Sequence, residues 1–137
     1  MAMGLLRDMV SDDPTGWRID SAGTWAIDGA PAAVNTQRVL QSRGIDISDH
    51  RSRLITEKIL SEYNLVLTME RGHQEALKVE FPQFANRIYL LSELIDKKFD
   101  IEDPVAGPLV DYQDTAREIE LILSDGFEKI TILSDDD

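Results

Sequence analysis

The run NLVLTME, residues 64–70, decides how this chain is read. It carries a continuous apolar run, Leu65, Val66 and Leu67, within a stretch only as long as a strand, the pattern of a strand buried on both faces. Helical stretches lie on either side of it. TEKILSEY, residues 56–63, opens on Thr56, which suits an N-cap. GHQEALKV, residues 72–79, has helical spacing after it. Strands separated by helices imply parallel pairing through crossovers, hence an α/β fold.

Working outward, RIYLLSEL, residues 87–94, predicts a strand ending near Leu91, with Ser92 capping a short helix. Upstream, WRIDSAG, residues 17–23, predicts a strand after the turn-rich SDDPTG. GAPAAVNTQRVLQSRG, residues 29–44, predicts a helix. Pro31 would lie in its first turn, Ala32, Thr36, Val39 and Leu40 would share a face, and Gly44 would stop it. Residues 4–10 predict another helix with Leu5, Leu6, Met9 and Val10 as its apolar stripe. The C-terminal 26 residues keep helical spacing from Ile119 to Ile130, although ITIL could be a short strand. Gly126 is expected to weaken that helix by up to ~1 kcal/mol relative to alanine.

Length fits one domain over residues 1–137, and an apolar content of 42% can supply a core. A net charge of -12 argues against nucleic acid and anionic membranes as general partners. The sequence contains no cysteine, so it offers no thiolate and no disulfide framework, which fits a cytoplasmic protein. No run reaches the roughly 18 apolar residues of a membrane helix.

In such α/β folds ligands gather beyond the carboxyl ends of the strands. Three loops could carry chemistry. DSAGTWAIDGAP projects Trp25 and Ile27 from a small-residue loop. DISDHRSRLIT sets His50 beside Arg51 and Arg53, a base near two anion-binding groups, or simply a solvated basic turn. DIEDPVAGP places Asp103 before Pro104, whose ring keeps the preceding backbone extended, so a carboxyl can be held at a cleft as a general acid. Ser21, His50 and Asp103 are also the residue types of a hydrolytic triad, but Ser21 lacks the G-x-S-x-G elbow. Glu70 and His73 form half of a carboxylate–histidine metal motif without a second copy, so no metal is expected.

Taken in order, MAMGLLRD, IDSAGT with its following Gly-x-Pro, RGIDISDHRSRLIT, YNLVLTMER and DPVAGP resemble the low-molecular-weight protein tyrosine phosphatases. That fold is shared with thioredoxin-coupled arsenate reductases. The resemblance spans essentially the whole chain. It implies a three-layer α/β sandwich with a short parallel sheet, no cofactor, and a phosphorylated protein or small phosphomonoester as partner. It implies that Asp103 is the general acid, that Ser21 and His50 brace the phosphate loop, and that Trp25 and Ile27 shape the substrate mouth. Val105 and Ala106 stand where the family commonly has aromatics. The family also begins with a strand and a Cys-x5-Arg-Ser/Thr loop ahead of its first helix. Neither is found ahead of Gly4, so the expectation is an N-terminally truncated phosphatase, inactive as given, with its first central strand missing. Exposed sheet edges would then favour a homo-oligomer. A non-catalytic binding or regulatory module is the competing expectation. An arsenate reductase relative is disfavoured, because reduction needs a thiol relay.

Overall fold

The computed structural model describes residues 1–13, 16–23 and 29–135. Its elements, in chain order, are α1 (Ala2–Met9), α2 (Val34–Gln41), α3 (Glu57–Ser61), β1 (Val66–Thr68), α4 (Arg71–Glu80), β2 (Ile88–Leu90), α5 (Leu109–Asp125) and α6 (Phe127–Leu133). Short 3-10 turns, Pro82–Arg87 and Leu91–Ile95, flank β2. The chain divides into two compact units, Met1–Ile55 with Pro104–Glu120, and Thr56–Asp103 with Leu121–Asp137. Among the described residues no helix is long and apolar enough to cross a membrane.

In the first unit, α1 buries Met3, Leu5 and Leu6, and the C-cap residue Val10 continues the i, i+3, i+7 row of Met3 and Leu6. Met9, expected in the stripe, falls off that row and is exposed. Gly4 is needed for close approach, since a Cβ there would stand 2.8 Å from Leu40 Cδ1. α2 begins at Val34 rather than near Pro31, because Pro31 is instead bridged to Arg51. The helix stops at Gly44 as expected. That glycine has φ +75°, and the N–H groups of Gly44 and Ile45 donate back to the carbonyls of Gln41 and Leu40. Val39, Tyr112 and Ala116 form a buried cluster against which Met1 packs.

Residues 17–22 are not a strand. Strand identity depends on a ladder partner far away in sequence, and apolar content cannot supply one. This segment is anchored by side chains instead. Arg7 donates to the Ile19 carbonyl through Nε (2.8 Å) and Nη2 (2.6 Å). Gly23 meets Leu54 in a single parallel bridge, with Gly23 N–H donating to Arg53 O at 2.9 Å.

The second unit holds the sheet. β1 and β2 pair in parallel, with Val66 opposite Ile88 and Thr68 opposite Leu90. The crossover between them carries α4, as the alternation predicted. β1 is less buried than its composition suggests: Val66 and Leu67 are half-buried and only Thr68 is fully covered. Thr56 caps α3, its Oγ1 accepting from Ile59 N–H at 3.2 Å. Ser92 does not act as the cap. It lies inside the 3-10 turn, 1% exposed, donating to Phe99 O (2.9 Å) and accepting from Phe99 N–H (3.1 Å). Glu93 takes the capping role by accepting from Leu90 N–H. The ITIL segment is helical within α6, and the spacing carried from Ile119 to Ile130 is broken at Gly126. There a Cβ would lie 2.5 Å from Leu94 Cβ and 2.9 Å from Leu94 O, so contact and not helix propensity dictates glycine.

Candidate active site

The first unit joins two of the residues singled out in the sequence, 29 positions apart. Ser21 Oγ and His50 Nε2 lie 3.0 Å from each other. Ser21 is exposed and His50 half-buried. Local bonds explain why His50 points this way. Asp46 accepts from Ser48 N–H at 2.8 Å, which tightens the turn, and His50 N–H donates to Ile47 O. The Arg51 guanidinium closes the turn over the carbonyls of Ser48 and His50, both at 2.9 Å.

Asp20, not singled out in the sequence, organises the other side. Its Oδ2 receives Arg53 Nη2 at 2.6 Å, and its Oδ1 accepts from Ser21 N–H at 2.8 Å. Arg7 Nη2 stands 3.9 Å from Oδ1. With the arginine side chains 39% and 47% exposed, each pair contributes on the order of 0–1 kcal/mol, so their effect is placement more than stability. The one hint in the sequence was a carboxylate directly before Ser21. Its partners at positions 7 and 53 are visible only in the fold.

Beside Ser21, the side chains of Arg7, Asp20, His50, Arg51 and Arg53 line an open cleft of about 340 Å³ together with Asp46, Ile47 and Asp49. Burial of the imidazole pushes the His50 pKa below its ordinary value. The Asp20 carboxylate opposes this, while Arg7, the amino group of Met1 and Arg53 add to it. At neutral pH the ring is therefore an uncharged hydrogen-bonding partner for Ser21.

Asp103 belongs to the second unit and is exposed. Two residues before it, Ile101 is 4% exposed and its N–H donates at 2.9 Å to the carbonyl of Met69, just beyond β1. The Asp-Pro loop thus leaves from the carboxyl end of the strand, where such folds place ligands. After Pro104 the chain turns tightly: Gly107 N–H donates to Pro104 O at 2.8 Å, and Ala106 sits at φ +60°. Trp25 and Ile27 lie outside the described residues.

The profile of the family described as "Low molecular weight phosphotyrosine protein phosphatase" matches residues 1–131. The chain belongs to that family. A relative from Ralstonia nicotianae, named a probable low molecular weight protein-tyrosine-phosphatase EpsP, is 30% identical over 120 residues, covering 88% of this chain and 79% of its own. The solved low molecular weight protein tyrosine phosphatase from T. tengcongensis superposes with a TM-score of 0.88 at 34% identity, covering 93% of this chain and 88% of that one. The YwlE arginine phosphatase from Geobacillus stearothermophilus gives a TM-score of 0.86 at 29% identity, covering 96% and 83%. The fold of this phosphatase family member is accordingly α/β, with a short parallel sheet and flanking helices.

Proposed function

We propose that this chain carries the general-acid and supporting parts of a phosphomonoesterase of its family, acting on phosphorylated protein side chains or small phosphomonoesters. The observation that carries the reading is the Ser21–His50 hydrogen bond at 3.0 Å, beside the Asp20–Arg53 pair. Ser21 and His50 are the two residues to which the resemblance assigns the bracing of a phosphate loop. In this reading Asp103 protonates the leaving-group oxygen and then deprotonates the attacking water. Trp25 and Ile27 shape the mouth.

The nucleophile is a separate matter. Attack through a cysteinyl-phosphate needs a thiolate, and the 137 residues contain no cysteine. The chain as given is therefore inactive in this proposal. Substrate class divides the relatives, which are named as tyrosine phosphatases and as arginine phosphatases. Val105 and Ala106 after the Asp-Pro pair give no aromatic surface for stacking on a phosphotyrosine ring.

The test uses the chain as it stands and a form extended at Met1 by a family strand and a Cys-x5-Arg-Ser/Thr loop. Hydrolysis of p-nitrophenyl phosphate, phosphotyrosine and phosphoarginine is followed in both. The expected result is no turnover in the first form and turnover in the second, with Asp103→Asn lowering kcat by about 100-fold or more. An inert extended form, or a rate indifferent to Asp103→Asn, would overturn the proposal. The second reading, a non-catalytic binding module, is favoured by the same lack of cysteine. It gains if the extended form binds phosphopeptide without turning it over.

A further inference from the structure

The cleft beside Ser21 has a balance of charge that its residue names conceal. Arg7, Arg51 and Arg53 line it together with Asp20, Asp46 and Asp49. Three fixed positive charges meet three negative ones, so these groups leave its lining near neutrality. Among the described residues His50 is the remaining titratable side chain of that lining, and its protonation shifts the balance toward positive. We propose that this cleft is a proton-gated anion site, which takes up a tetrahedral oxyanion of the phosphate class when His50 is protonated and releases it when His50 is neutral. The proposal rests on the phosphatase reading above and adds a regulation to it.

The hydrogen bond to Ser21 gives the gate a second component. With the neutral ring's proton on Nδ1, Nε2 accepts the Ser21 hydroxyl, whose hydrogen then faces the imidazole. Protonation makes Nε2 a donor. Ser21 Oγ becomes the acceptor, and its hydrogen is free to turn toward an anion in the cleft. One proton thus adds a positive charge and redirects a hydroxyl donor. The arginines cannot supply this change, because a guanidinium keeps its charge across the whole range, and each is already engaged in part. Arg7 is bound to the Ile19 carbonyl, Arg51 to those of Ser48 and His50, and Arg53 to Asp20.

The groups acting on His50 are Asp20, which favours the charged ring, and Arg7, Arg53 and the Met1 amino group, which disfavour it along with burial. The gate therefore rests closed at neutral pH and opens on acidification. An anion seated in the cleft would itself favour the charged ring, so uptake of anion and uptake of a proton reinforce each other.

Sulfate is the suitable probe, because it remains a dianion over the whole range, whereas phosphate itself titrates. Binding of sodium sulfate, against chloride at matched ionic strength, is measured by calorimetry and by NMR at about pH 7.5 and about pH 5.5, a range over which ordinary carboxylates stay ionised. The expected result is tightening by about tenfold or more at the lower pH, one pKa unit of coupling being a factor of ten. His50→Gln should remove the pH dependence, while His73→Gln, on α4 of the other unit, should leave it intact. Ser21→Ala should weaken binding at low pH several-fold without moving the midpoint. In the unsubstituted protein, the midpoint of the His50 ring signal should rise when sulfate is saturating, a readout that needs no variant to fold. Equal affinity at both pH values, persistence of the pH dependence in His50→Gln, or a His50 midpoint unmoved by sulfate would each overturn the gate. A gate that fails while the extended form hydrolyses phosphomonoesters leaves the phosphatase reading standing. A working gate beside an inert extended form supports the site and removes that reading.

Discussion

Replacing Gly126 by alanine separates two kinds of reasoning by the sign of the result. From the sequence, Gly126 interrupts a helical pattern, and alanine would stabilise by up to ~1 kcal/mol. The structure gives the opposite expectation. A Cβ at 126 would stand 2.5 Å from Leu94 Cβ, 2.9 Å from Leu94 O and 3.0 Å from Ile122 O. Two of these three atoms are backbone oxygens, and the third is the first atom of a side chain on a buried turn, so none can swing aside. Overpacking of this kind typically costs about 1–3 kcal/mol. The propensity gain cannot fully offset it, because Gly126 lies between α5 and α6 and not inside either. The net expectation is a loss of about 1–2 kcal/mol, or roughly 3–10 °C in Tm for a chain of this size. Gly72→Ala is the internal control, since nothing lies within 4 Å of its Cβ position. In α4 it should be neutral or stabilising by up to ~1 kcal/mol. Urea unfolding of both variants, with m-values compared, provides the measurement. A Gly126→Ala variant as stable as Gly72→Ala would refute the packing argument.

Ser92→Ala removes a buried hydroxyl that satisfies both backbone groups of Phe99, and should cost about 2 kcal/mol by leaving that N–H and C=O unpaired. Hydrogen exchange at Phe99 should accelerate relative to the β1 amides, and unchanged protection there would count against the role. The depressed His50 pKa makes a stability prediction with a definite sign. The folded state favours the neutral ring, so its contribution is complete above the ordinary histidine pKa of about 6.5 and is lost as pH falls through that value toward the lower folded one. Thermal melts across this window should fall more steeply in the natural chain than in His50→Gln. Parallel curves would mean that the imidazole titrates alike in the folded and unfolded chain.

The sequence pointed to Ser21 and His50, which the fold joins, and to part of the scaffold, for reasons that can be stated residue by residue. Thr56, Gly44 and the buried Leu5, Leu6, Val39 and Leu40 act within a turn or two of themselves, so their signals are local, whereas Met9 of the expected α1 stripe is exposed and Ala32 precedes α2. Residues 17–22 carried a strand-like composition without a ladder, and pairing is a property of two segments. Ser92 had the chemistry of a cap but was recruited by Phe99, seven residues on. Asp20 stood unnoticed beside Ser21, because its meaning lies in Arg7 and Arg53.

By itself, then, the sequence determined the α/β alternation and the family, since periodicity, capping chemistry and ordered motifs are written along one dimension. Tertiary structure alone decided that Ser21 meets His50, that three arginines and three aspartates cancel around it, and that Gly126 must have no side chain. Each of these depends on distances between residues far apart in the chain. Charge balance and steric exclusion arise only once the fold has set those distances.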